Sequence, residues 1–350
     1  MDKKYYLFSF LFWFIPLLSF AQTNDLVLSD KLLPITEQNF FKSHDYYIWD
    51  PSIIRDGNGI YHLFYSRWQK KYSFNGWMPL SEIVHATSKS PTGPWIYKGI
   101  VLRGRGKGYW DAIGAYNPKI KYFNGKYYLY YVSTNLGDGD YTEKYLVAIS
   151  LKGSQHKDWL VLRNNQRTGV AVATSLAGPW KRSDAPIIQP SGPITRLTVN
   201  PAIAEGPDKK FYLVIKGDKP NDRGYIRNQA IAVSTTPIGP FIMQPTPVID
   251  YIDTEDMSIW YDKNRKLFFG IFHAPKGFLG LIESTDGLHW RKSKDYFMNY
   301  KQFLMVNGDI FKPEKMERPF ILAENGTPIV LSVAVKQGDD SWLVFVPLKY

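Results

Sequence analysis

The chain has 350 residues, no cysteine and a formal net charge of +11 at neutral pH. The missing thiols exclude disulfides, iron–sulfur clusters, thiolate zinc sites and a lipid anchor on an N-terminal cysteine, so packing alone must hold the fold. Aromatic residues make up 16% of the chain, with 11 Trp and 24 Tyr. That supply suits an aromatic-rich all-β core and also stacking against the C–H faces of sugar rings.

Taken from the start, Lys3 and Lys4 precede an apolar stretch, Tyr5 to Phe20, and Ser19-Phe20-Ala21 has the small-residue character of a cleavage site. The stretch is short for a membrane span and is interrupted by Pro16. We therefore expect a signal peptide over 1–21, a lead-in segment over 22–47 and one folded domain over 48–350. The expected location is periplasmic or secreted, with no membrane span after cleavage. Residues 1–21 carry Lys3, Lys4 and Asp2, so the chain beyond them keeps +10. For an exported protein that surplus favours an acidic or sulfated polysaccharide over nucleic acid as an anionic partner.

A module then recurs five times. Its first part is a short apolar strand with a polar residue before a proline: Asp50-Pro51, Asn117-Pro118, Asn200-Pro201 and Arg318-Pro319, with Asp256-Met257 as the fourth copy. Next comes a turn and an alternating aromatic strand. Asp56-Gly57-Asn58-Gly59 leads into Ile60-Tyr61-His62-Leu63-Phe64-Tyr65, and Phe123-Asn124-Gly125-Lys126 into Tyr127-Tyr128-Leu129-Tyr130-Tyr131; weaker copies begin at Pro207, Tyr261 and Glu324. Asn-Gly and Asp-Gly steps tolerate the positive φ of a hairpin. The last part is a strand closing in Gly93-Pro94-Trp95, Gly178-Pro179-Trp180, Gly239-Pro240-Phe241 or Gly287-Leu288-His289-Trp290, with a degenerate fifth copy from Trp342 to Leu348. Helical periodicity is almost absent. Five modules predict an all-β, five-bladed β-propeller of four-stranded antiparallel blades around a central channel.

The Asp-Pro first strand, the Asn-Gly-Lys-Tyr-Tyr-Leu-Tyr-Tyr hairpin and the Gly-Pro-Trp turns resemble the five-bladed glycoside hydrolases related to family 43, over about residues 45–350. The resemblance implies that Asp50 is the base activating water in an inverting hydrolysis. The family's second Asp, just after the blade-two proline, is replaced by Lys119, and Val199 and Asn200 stand where its acid Glu belongs near the blade-three proline. Glu205-Gly206-Pro207 echoes the acid motif but lies on the wrong side of its strand. The chain reads as a divergent member with its acid on another blade.

Glycoside hydrolysis needs a carboxylate to activate water and a proton donor for the leaving oxygen. The expected catalytic set is Asp50 as base, with Asp256, Glu255 and Glu317, in that order, as candidate acids. Asn117, Asn200, Arg318, His273 and Trp49 are the expected substrate-binding residues. Each polar one has a structural alternative: a strand cap for Asp50, a tie between neighbouring strands for the two Asn, an ion pair for Arg318, a packed ring for His273. No cofactor is expected, with the channel left as a place for a structural cation. Two other readings stay open: a glycan-binding propeller without catalysis, and a glycoside phosphorylase on the same scaffold.

Overall fold

The computed structural model describes Met1 and residues 25–222, 226–275 and 277–349; the signal-peptide expectation lies outside them. Among the described residues no helix is long and apolar enough to cross a membrane. A two-residue strand, β1 (Phe40–Phe41), precedes the first repeat. Blade one is β2 (Tyr46–Arg55), β3 (Tyr61–Gln69), β4 (Glu82–Ser88) and β5 (Ile96–Leu102). Blade two is β6 (Ile113–Phe123), β7 (Lys126–Thr134), β8 (Arg167–Ala173) and β9 (Lys181–Arg182). Blade three is β10 (Thr195–Glu205), β11 (Phe211–Asp218), β12 (Arg227–Ser234) and β13 (Ile242–Ile249). Blade four is β14 (Glu255–Asp262), β15 (Leu267–His273), β16 (Leu279–Ser284) and β17 (Arg291–Lys292), followed by a hairpin of β18 (Phe303–Leu304) and β19 (Ile310–Phe311). Blade five is β20 (Lys315–Glu324), β21 (Thr327–Gln337) and β22 (Asp340–Pro347), completed on its outer edge by β1.

That closure brings the chain's beginning onto its end: Phe40 pairs with Val344 and Phe41 with Leu343. The described part of the lead-in segment thus packs into the propeller. Leu26, Leu28 and Ile35 are fully buried between blades four and five, and Asp295 accepts the Leu28 N–H at 2.7 Å.

The core is a set of apolar layers between neighbouring blades. In β21, Leu331, Val333 and Val335 face blade four, while Val330 and Ala334 face blade one. Both faces of such a strand are buried, and the two-residue period of a strand sends alternate side chains into the two layers. The Gly-Pro-aromatic turns behave as expected: Trp95 and Phe241 are buried in these layers. Two short helices, α1 (Glu143–Lys152) and α2 (Trp159–Asn164), interrupt blade two between β7 and β8. They are insertions within an all-β chain. Thr142 caps α1 through its hydroxyl and Gly153 ends it at φ 54°, which are ordinary helix start and stop signals.

Candidate functional site

The residues before the four module prolines and Met257 share one backbone conformation. Asp50, Asn117, Asn200, Asp256 and Arg318 have φ of 59°, 53°, 53°, 61° and 59°. Each falls where the innermost strand slips register against the second, between Trp49 and Ser52, Tyr116 and Lys119, Val199 and Ala202, Glu255 and Ser258, and Glu317 and Phe320. The sequence expectation put the proline at the strand's first residue. The strand in fact begins earlier, at Tyr46 in blade one, and the proline stands in a β-bulge, where the ladder has no bond to lose. The bulge turns the preceding side chain toward the axis. Asn and Asp tolerate this left-handed conformation, whereas Arg318 bears a strain of about 1–2 kcal/mol there.

The five side chains form a closed ring, each reaching to the next blade. Asp50 Oδ2 accepts from Ser66 Oγ at 2.6 Å and from the Asn117 N–H at 3.1 Å. With its amide nitrogen toward Asp50, Asn117 donates to both carboxylate oxygens at 2.9 and 3.1 Å, and its carbonyl accepts from Arg318 Nη1 at 3.1 Å. The Asn200 amide lies between Asn117 and Asp256 Oδ1 and touches both. Arg318 closes the circuit, with Nη1 donating to Asp256 Oδ1 at 2.5 Å and Nε 2.9 Å from Asp50 Oδ1 without a directed N–H. Oδ1 of Asp50 thus meets the Asn117 amide and Arg318, and Oδ2 meets Ser66 and the Asn117 N–H.

Electrostatics separate the carboxylates. Burial, the largest influence on Asp256, raises its pKa, but the Arg318 guanidinium together with His273 and Lys216 holds it far below the usual carboxylate range. Glu255 is likewise raised by burial and overruled, chiefly by Lys216 (Nζ–Oε2 2.8 Å) and also by its ion pair to Arg227, down to about 2. Glu317 has no ion pair or hydrogen bond among the described residues, and it lines the pocket. His273 is buried, with Nδ1 3.4 Å from Asp256 Oδ2. Asp256, His273 and Glu317 bring ligand atoms within 4.8 Å of one another, the one such grouping found among the described residues. Arg318 Nη1 and Asn200 both engage Oδ1 of Asp256, and Oδ2 is the oxygen turned to His273. Beneath the ring lies Lys119, which is buried, has its ammonium 5.4 Å from the centre of the Phe320 ring, and feels Asp50 and Asp256.

Above the ring opens a cavity of about 320 Å³. Asp50, Asn117, Asn200, Glu255, Glu317, Arg318 and Trp49 line it; Asp256 and His273 lie behind its floor. One wall is aromatic: Trp49, Trp68, Phe74, Trp77 and Trp159, the last from α2. The pocket is also lined by cations, Lys315 among them at 5.7 Å from the Phe74 ring centre, yet most of the charges are taken. Arg163 forms a two-pronged pair with Asp218 at 2.8 and 2.6 Å, and Lys216 and Arg227 hold Glu255. Lys315 alone among the pocket's cations has no carboxylate partner among the described residues.

Sequence reasoning located the ring and Glu255 and Glu317 beside it. It missed Ser66, Lys216, Arg227, Lys315 and the α2 tryptophan. The pairing of Trp49 with Ser66 in β2–β3 is the signal that could have found Ser66, since a hairpin register places it beside Asp50. The others converge only through tertiary structure.

No protein-family model and no curated protein matches the chain. Solved structures do. A family 117 glycoside hydrolase, Zg3597 of the marine bacterium Zobellia galactanivorans, superposes with a TM-score of 0.60 at 18% identity, over 91% of this chain and 88% of that one. BT0996, solved as an RGII complex, gives 0.64 at 15%, over 92% and 93%. An α-L-arabinofuranosidase from Lactobacillus brevis gives 0.56 at 15%, over 93% and 95%. The chain shares their five-bladed propeller fold.

Proposed function

We propose that the chain is a glycosidase that hydrolyses glycosidic bonds of a poly- or oligosaccharide in the axial pocket. The observation that carries this reading is the pocket itself: a carboxylate, Asp50, that lines it, a second carboxyl, Glu317, without an ion pair among the described residues, and a set of aromatic rings. The glycoside hydrolases among the structural neighbours support it. In this reading Asp50 takes a proton from water as the water oxygen attacks the anomeric carbon, and Glu317 donates a proton to the departing oxygen, inverting the configuration. Asp256 and Glu255 make poor acids, because the cations around them favour their ionised forms. Arg318 is engaged with two carboxylates, so an acidic or sulfated group on the substrate would meet Lys315 instead.

Incubation with a panel of neutral and sulfated polysaccharides and aryl glycosides, followed by assay of new reducing ends, tests the activity. Glu317→Gln should slow substrates with poor leaving groups at least about a hundredfold and largely spare activated aryl glycosides, which need no proton donor. Equal losses on both would remove Glu317 from the acid's role. A second reading, glycan binding without cleavage, is favoured by the closure of the ring upon itself; binding without any reducing-end release would select it.

A further inference from the structure

A second aromatic surface lies on the same face of the propeller as the pocket. Strand β14 begins at this face with Glu255, β15 ends there at His273, and the segments joining β13 to β14, β15 to β16 and β17 to β18 all return to it. Those three segments bring together Tyr251, Phe278, Tyr296, Phe297 and Tyr300. Tyr251, Phe297 and Tyr300 are 51%, 53% and 61% exposed. The rings of Phe297 and Tyr300 are parallel within 9°, with centroids 6.2 Å apart. Buried Tyr296 supports them from below, packing on Phe272, Phe278 and Phe297. Lys292 sits 4.6 Å over Tyr296 and 5.3 Å over Tyr251.

Exposed rings held by their own buried layer point to a binding surface, since they cost more in water than they return to the core. This one adjoins the pocket. Arg227, a pocket residue, grips Asp253 through Nε at 2.9 Å, and Tyr251 is two residues along the same segment, within about 7 Å of chain reach. We propose that blade four carries a carbohydrate platform, on which sugar residues of a glycan seated in the pocket continue past the Arg227–Asp253 pair and stack on Tyr251, Phe297 and Tyr300. The inference rests on the glycan reading of the pocket. Parallel rings offer flat faces to sugar C–H groups, and the tyrosine hydroxyls and Lys292 supply hydrogen bonds at their edges.

Native affinity electrophoresis through gels containing arabinan, xylan or carrageenan tests it, with analytical ultracentrifugation alongside. At least one polysaccharide should retard the wild-type chain. The double variant Phe297→Ala/Tyr300→Ala and the single variant Tyr251→Ala should each weaken that retention about fivefold or more, as loss of aromatic stacking does. Their turnover of a short aryl glycoside should stay at the wild-type level. Asp50→Asn should keep the retention, so failure of catalysis and failure of the platform give different results. Retention unchanged in the platform variants, or no retention by any of the three polymers, overturns the proposal. So does a wild-type dimer that the same variants convert to monomer, which would make the surface a contact between two copies of the chain.

Discussion

Replacing Arg318 with Met leaves the ring two buried carboxylates and no guanidinium. Arg318 contacts Asp50 Oδ1 at 2.9 Å and Asp256 Oδ1 at 2.5 Å, and its side chain is 13% exposed. Stranding a buried charge costs about 3–5 kcal/mol, of which relief of the left-handed arginine's strain returns none, because Met is equally strained there. A propeller of this size unfolds with an entropy of roughly 0.7 kcal/mol per kelvin, so Tm should fall by about 4–7 °C at pH 7.5. The loss should depend on pH with a definite sign. In the wild-type chain Asp256 is depressed below its ordinary 3.8, so its contribution is complete above that value and fades only as pH falls well beneath it. In the variant the buried carboxyls, stripped of the guanidinium, take up protons as pH falls toward 4. The gap between the two proteins should therefore be widest near neutral pH and narrow at pH 4–5, as read by thermal or urea denaturation across that range. A gap that is absent, or constant from pH 7.5 to 4.5, would refute the ion-pair account of the ring.

Burial pulls the Lys119 ammonium from 10.5 to about 8, against the opposing effect of Asp50. The unfolded chain thus binds that proton more tightly, and wild-type stability relative to Lys119→Met should rise between pH 8 and 10.5 in urea denaturation. Leu28→Ala, at a fully buried position between blades four and five, should cost about 3 kcal/mol and lower Tm by about 4 °C, whereas a detachable leader would show no change. Binding of a sulfated glycan should weaken with salt and in Lys315→Ala; binding indifferent to both would mark the substrate as neutral.

The propeller was legible because its signals are local and repeated five times. The Asn-Gly turns, the alternating aromatic strands and the Gly-Pro-aromatic closures each act within one hairpin. The ring was legible for the same reason: one residue per module, in phase. What the bare pattern could not convey was the bulge, because a polar residue before proline reads equally as a strand start. Nor could it rank Asp256, Glu255 and Glu317 as acids. Adjacent in sequence to one another or to Arg318, they differ only in the cations that come to them from elsewhere, Lys216 and Arg227 from blade three and Arg318 from blade five. Helices α1 and α2 escaped because they are short insertions within a β repeat.

The central claim is that Asp50 activates water in the axial pocket. Its most direct test is the turnover of Asp50→Asn, beside the wild-type chain, on whichever glycan or aryl glycoside is cleaved. The account predicts a fall of at least about a hundredfold, with sugar binding retained and a lowered Tm that still leaves the variant folded at the assay temperature, because the amide keeps the shape of the carboxylate but cannot accept the proton. Full activity in Asp50→Asn would contradict it and leave Asp50 as a strut of the ring.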